Sequence, residues 1–379
     1  MFNFLDLLEK AIEQRSSDVI IKAGAPAAVR VDNRIVPVFP DRLQPEDCQT
    51  LVLGIIDSAS RDYLLQHRPL TPDADDLPEA LQPERIIERL QNGEELDLSF
   101  TVPNLVRVRA NLFMQRSSPG AVLRIIPLRP WTLEQLRLPP VLRDLALSPH
   151  GLVLVTGPTG SGKSTTIAAM VEHINVSRQA NVITIEDPIE YLFEDKRAYI
   201  SQRQVGTDTQ SWGSAVRSVL RQSPDVIMIG EMRDLETVRA ALQAAEVGHL
   251  VLSSLHTISA AATVDRVLNM FPTHERAQVQ MQLATGLQGV ISQRLVPLAQ
   301  GPGRIVACEV MTASPTVRKQ IEEGQTSDLY NSIREGHHFH MKTMNQQLEL
   351  MYNNKLISYE IALAYAGNYT ELKQTLRRN

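Results

Sequence analysis

The sequence predicts an α/β chain: a small α+β domain, then a domain of buried strands alternating with helices, then a helical tail. Three observations carry that prediction. Four short apolar runs, 152–156, 182–186, 226–229 and 250–254, are separated by stretches of helical periodicity. Such runs suit a parallel sheet covered on both faces, with crossover helices between its strands. Upstream, β-branched runs of four or five residues alternate with helical patterns, and past residue 313 only helical periodicity remains. The 379 residues, 43% apolar and 21% charged, suffice for two or three packed cores.

Taken in order, residues 1–14 place Phe4, Leu7, Leu8 and Ile12 on one helical stripe. Asp6, Glu9 and Glu13 interrupt it with charge, so it reads as a helix and not a signal peptide. Strands are expected at 18–22, 28–31, 34–38, 105–109 and 122–126, and two helices at 45–56 and 58–67. Residues 69–97 hold four prolines and nine acids against two basic residues, a local charge of −7. That texture predicts an inserted, solvated surface loop with at most a short helix at 83–91. Pro127, Pro130 and a helix starting at Trp131-Thr132 mark the expected linker. Helices are then expected at 163–174, 212–221, 235–245 and 260–270.

Composition excludes several classes. A net charge of −5 with 5% aromatics argues against a nucleic-acid binder held by bulk basicity. Cys48 and Cys308 stand too far apart in sequence for a disulfide framework or a cysteine-based zinc site, and fit a reducing cytoplasm. No apolar stretch approaches the 18 residues of a membrane span.

Gly157-Pro158-Thr159-Gly160-Ser161-Gly162-Lys163-Ser164 matches the phosphate-loop pattern G-x-x-x-x-G-K-[ST], after an apolar run and before a helical one. Its glycines let backbone amides wrap a phosphate at a helix N-terminus. Lys163 would reach the β- and γ-phosphates of ATP, and the Ser164 hydroxyl would ligate Mg²⁺. Hydrolysis also needs a group to orient water. In Asp225–Asp234 an apolar run ends near Glu231, assigned here as the base that polarises water, while Asp234 suits a helix cap. Glu186, Asp187 and Glu190 crowd another strand end. Glu190 is the candidate for Mg²⁺ support or water orientation, against a solvated Asp187-Pro188 turn. His249 and His256 bound the run 250–255, and either is a candidate γ-phosphate sensor or a packing residue.

Four blocks, GPTGSGKST (through Thr165), ITIEDPIEY, DVIMIGEMRD and GHLVLSSLHTISAAATVDRV, resemble the Walker A, Asp box, Walker B and His box of the type II/type IV secretion ATPase superfamily. Within it the chain is similar to the type IV pilus retraction ATPases, the PilT/PilU family. SDVIIKAGAPAAVRVDNRIVPV and RVRANLFMQRSSPGAVLRIIP look like that family's N-terminal domain and its arginine-bearing segment. The resemblance implies a PAS-like domain at 1–128 carrying the 69–97 insertion, a RecA-like ATPase core at 132–312 and a helical subdomain at 313–379. It places Arg109 and Arg124 at the nucleotide, which alone would pass for strand-surface charges; Arg107 shares Arg109's face and is the alternative.

The resemblance further implies a hexameric ring with nucleotide between the two domains of a subunit. Such a ring is docked cytoplasmically on an inner-membrane platform protein and retracts a pilus. Two departures stand out. Residues 316–323, TVRKQIEE, keep only the frame of the family's AIRNLIRE-like helix, and ISYEIAL at 357–363 looks more like PilU, an accessory working beside a second retraction ATPase. The acidic 69–97 stretch is the other. The rival classes are an assembly or type II secretion ATPase, disfavoured by the missing four-cysteine element, a nucleotide-binding scaffold with little turnover, and a RecA-like DNA motor, disfavoured by the acidic charge.

Overall fold

The computed structural model describes residues 3–14, 16–32, 34–66 and 82–378. It divides into two units, Met1–Arg129 and Pro130–Asn379.

The first unit is a six-stranded antiparallel sheet in the order β3-β2-β1-β6-β5-β4. Its strands are β1 (Asp18–Ile21), β2 (Ala28–Val31), β3 (Arg34–Pro37), β4 (Leu96–Val102), β5 (Val106–Gln115) and β6 (Ser118–Ile126). Alternate residues, among them Leu96, Leu98, Phe100, Val108, Ala110 and Leu123, pack into one core with helices α1 (Phe4–Glu13), α2 (Pro45–Gln66) and α3 (Pro83–Gln91). On α1 the buried stripe is Phe4, Leu7, Leu8 and Ala11, begun by a reciprocal Asn3–Asp6 capping box.

Three expectations need correction in this unit and the linker. Residues 45–66 form one helix, not two: the Ser58 hydroxyl donates to Gly54 O at 2.7 Å and Asp57 pairs with Arg61 one turn on, so the polar pair does not break it. His67, expected to end the second helix, lies outside the described residues. The described part of the acidic stretch forms the expected short helix, α3 over Pro83–Gln91, but it is not a solvated loop. Ile86 and Leu90 of α3 are buried, and Leu96 starts an inward-facing strand that composition hid. No helix starts at Trp131; the next helix, α4, is Val141–Ala146.

The second unit has strands β7 (Gly151–Thr156), β8 (Asn181–Glu186), β9 (Tyr199–Gln204), β10 (Val226–Ile229), β11 (Leu250–Leu255), β12 (Leu287–Pro297) and β13 (Arg304–Thr312). They form one sheet in the order β13-β12-β7-β11-β10-β8-β9, parallel except for the antiparallel β12–β13 pair. Helices α5 (Lys163–Ser177), α6 (Trp212–Val219), α7 (Leu235–Glu246), α8 (Ala260–Asn269) and α9 (Arg276–Gly286) make the crossovers. Val153, Val155 and Val182 pack in one core, Leu152, Leu154 and Ile183 in another, which is why these strands read as unbroken apolar runs. The chain leaves β7 and returns at β8, three places along the sheet, so a switch point opens at the carboxyl end of β7. Strands β9, β12 and β13 escape sequence periodicity because Gln202, Gln293, Arg294 and Glu309 interrupt them.

Beyond β13 follow α10 (Pro315–Glu322), α11 (Leu329–Glu335), α12 (Met344–Asn353), α13 (Tyr359–Ala364) and α14 (Tyr369–Arg378). Residues Leu348, Met351 and Leu372 of these helices close over Val296 and Ala307 of the β12–β13 ribbon.

Candidate active site

The phosphate loop is built at the switch point. Strand β7 is buried throughout and Thr156 Oγ1 lies 2.7 Å from Ser292 Oγ on β12, so the loop leaves a rigid base. Gly157 takes φ +145°, and a Cβ there would fall 2.4 Å from the carbonyl oxygen of Gln293, so neither strain nor space admits another residue. Gly162, at φ +89°, turns the chain into α5, whose N-terminus offers no side-chain cap. Its first amides are thus free to meet an anion. The Ser164 hydroxyl is exposed in the first helical turn, while Thr165 Oγ1 lies 3.0 Å from Tyr191 Oη, tying α5 to the segment after β8.

Lys163 is buried at the centre. Its Nζ donates to Gly157 O at 3.0 Å and Pro158 O at 3.2 Å, and stands 3.4 Å from His256 Nδ1. Burial holds this ammonium below the usual lysine range, opposed by the negative charges of Glu231 and Glu190. Glu231 follows β10 by two residues and is pinned from two sides: its Oε2 is 3.1 Å from His256 Nε2, and its Oε1 pairs with Arg233. Lys163, His256 and Glu231, from the ends of three adjacent strands, thus form one connected chain. Asp234 caps α7 through Thr237 N at 2.8 Å.

On the β8 side, Glu186 is buried and accepts from Thr184 Oγ1 at 2.6 Å and Gln202 Nε2 at 3.2 Å. Burial first, and then the neighbouring Glu190 charge, push its carboxyl above the usual range, against those hydrogen bonds. Glu190 is half-buried, and its backbone N–H donates to Glu186 at 3.4 Å. Among the described residues no three His, Cys, Asp or Glu side chains stand together as a metal cage. A magnesium ion bridging phosphates needs none, since phosphate and water supply most of its ligands. The exposed Ser164 hydroxyl and the carboxylates of Glu190 and Glu231, close enough to act on Lys163, have the hard-oxygen chemistry such an ion takes.

His249 is not brought to this group. It precedes β11, its carbonyl accepting from Gly151 N at the opposite end of the sheet, while His256 follows the strand. Six residues of strand put the two about 20 Å apart. A cavity of ≈ 540 Å³ between 137–144 and 337–347 shares no residue with the phosphate loop.

Arg109 and Arg124 belong to the first unit, on the sheet face away from its helices. They are directly opposed across β5 and β6, and the same row continues through Asp18 on β1 to Arg30 on β2. Asp18 pairs with Arg124 at 3.4 Å and with Arg30 at 3.5 Å. Asp18 thus pairs with two arginines, and Arg109 stands directly opposite one of them, a like-charged neighbour of the kind that destabilises a sheet unless an anion offsets it. Arg107 is buried and donates to Thr101 Oγ1 at 3.2 Å, which separates it from Arg109. Sequence reasoning did not single out Arg233, Tyr191 or Gln293. The motif blocks held the first two, but nothing marked a partner for either, and Gln293 sits in an unrecognised strand.

The chain is similar to known proteins along nearly its whole length. The family model described as Type II/IV secretion system protein matches residues 84–362. The chain is 40% identical over 357 residues to the type IV pilus retraction ATPase PilT of Pseudomonas aeruginosa, covering 94% of this chain and 96% of that one. It is 35% identical over 375 residues to the type IV pilus ATPase PilU of the same organism, covering 99% and 91%. A crystal structure of the pilus retraction motor PilT with bound ADP superposes with a TM-score of 0.81 at 40% identity, over 99% of this chain and all of that one.

Proposed function

The chain belongs to the type II/IV secretion system family, and from that membership we propose that it is an ATP-hydrolysing motor of type IV pilus retraction, the activity behind twitching motility. The observation that carries the proposal is the connected group Lys163–His256–Glu231 at the carboxyl end of the central strands, beside a glycine-built phosphate loop.

In this mechanism the amides of 157–163 and the N-terminus of α5 hold the β- and γ-phosphates of ATP. Lys163 gives up the Gly157 and Pro158 carbonyls for the phosphates. Ser164, with support from Glu190, would hold a magnesium ion, which would supply positive charge to the phosphates. Glu231 orients and polarises the attacking water, and His256, touching both Lys163 and Glu231, reports whether the γ-phosphate is there. Arg109 and Arg124 are assigned the remaining positive charge that phosphoryl transfer requires, supported by the like-charged row they form. His249 receives no role at the phosphates.

We further propose a hexameric ring in the cytoplasm that pushes on an inner-membrane platform protein of the pilus machine. Among the described residues no helix is long and apolar enough to cross a membrane. A second version, an accessory beside a second retraction ATPase, is favoured by residues 316–323, which keep only part of the retraction helix pattern, and by the PilU-like tail. Deleting the gene and counting surface pili tests the proposal. Abundant unretracted pili with lost surface motility are expected; bald cells would assign the chain to assembly instead. Motility that survives deletion until a second retraction ATPase is also removed would select the accessory version.

A further inference from the structure

We infer that Gln293 is a positioning residue of the phosphate loop, holding from the sheet side the backbone that receives the nucleotide. The inference rests on the ATP-binding reading above and names a residue that reading does not use. Gln293 lies on β12 one place beyond Ser292, the last residue laddered to β7, and is 1% exposed. From there it meets the loop at three points. Its Nε2 donates to Ser161 O at 2.7 Å. Its own carbonyl oxygen packs on Gly157, where a Cβ would come within 2.4 Å, and its Nε2 lies 3.3 Å from where a Cβ on Gly162 would stand. The first glycine, a central carbonyl and the last glycine of the loop are thus gauged by one side chain and its backbone.

Two buried polar atoms at this contact have no hydrogen-bond partner: Gln293 Oε1, an acceptor, and Ser161 Oγ, a hydroxyl able to donate. Their presence on facing residues gives the pair bonding capacity that a small shift of the loop can use. Within the loop the Ser161 N–H donates to Pro158 O at 3.2 Å, and the side-chain bonds to Gly157 O and Pro158 O are those of Lys163. Those bonds are given up when Lys163 turns to a phosphate, whereas the Gln293–Ser161 bond is not, because Gln293 faces the loop from behind. Gln293 reaches the loop's backbone and glycines from the sheet side. It therefore sets how well the loop binds, and leaves the chemical step to Glu231.

The test is Gln293→Met in the full chain, which keeps the side chain's length and removes both donor and acceptor. Titration with fluorescent mant-ADP and mant-ATP, steady-state turnover and a thermal melt are compared with wild type. Both dissociation constants should rise about tenfold, because a loop no longer held from behind populates the binding-competent backbone less, with KM following and kcat within about twofold. The melting temperature should fall by only the few degrees that one lost buried hydrogen bond costs in a unit of this size, less than a loss of packing would take. Dissociation constants within twofold of wild type, or a loss of affinity seen only together with a collapsed melt, would overturn the inference. Should the Met variant not fold, Gln293→Asn, which withdraws the amide from Ser161 by one methylene, carries the same expectation and the same refutation. Failure of wild type itself to bind mant-ADP would instead refute the ATP-binding reading.

Discussion

Replacing Lys163 by Met separates a functional lysine from a structural one. Its ammonium is nearly buried and makes two hydrogen bonds to loop carbonyls at 3.0 and 3.2 Å. Losing bonds from a charged donor costs about 1.5–3 kcal/mol, but removing a desolvated charge returns a similar amount. Burial already depresses this lysine's pKa, the mark of that desolvation cost. Stability should therefore change by no more than about 1 kcal/mol. Nucleotide affinity has no such compensation: one charge-assisted contact to phosphate is lost, worth about 1.5–3 kcal/mol, or about 10- to 150-fold. The assay pairs an ATP titration with a urea melt of the same sample. Affinity within twofold of wild type together with a collapsed melt would refute the reasoning, for Lys163 would then be a brace for Gly157 and Pro158.

Two further substitutions probe Glu186 and the arginine row. Glu186 is held protonated above its ordinary 4.5 by burial, so the folded chain binds more protons than the unfolded chain in that window, and stability should fall as pH rises through it. Glu186→Gln should flatten that slope and raise stability at neutral pH, measured by urea melts at pH 5 and pH 8; an unchanged slope would mean the carboxyl titrates normally. Arg124→Ala should slow ATP hydrolysis at least tenfold while costing under about 1 kcal/mol of stability, because Asp18 keeps Arg30 as a partner. Unchanged turnover would return Arg124 to the sheet surface.

Much of this site is legible in the amino-acid sequence, for reasons that lie in particular residues. The phosphate loop is visible because only glycine fits at Gly157, and because strands buried on both faces leave unbroken apolar runs. Glu231 is visible because an apolar run ends beside it and ligands collect at the carboxyl ends of sheet strands. The two histidines look equivalent in sequence, and only the direction of β11 decides that His256 meets Lys163 and His249 does not. The arginine row is a matter of register across four strands, which no local pattern encodes. Gln293 was hidden for the opposite reason: the polarity that makes it useful behind the loop broke the apolar run that would have identified its strand.

Activation of water by Glu231, for a triphosphate held by the 157–165 loop, is the step on which the proposed motor depends. Phosphate release by wild type and Glu231→Gln, measured with and without magnesium beside an ATP titration of each, tests it most directly. Magnesium-dependent hydrolysis by wild type is expected, with a fall of about 10²–10³-fold in the variant and ATP affinity retained in both. Hydrolysis that survives the substitution, or affinity that vanishes with it, would contradict that role for Glu231.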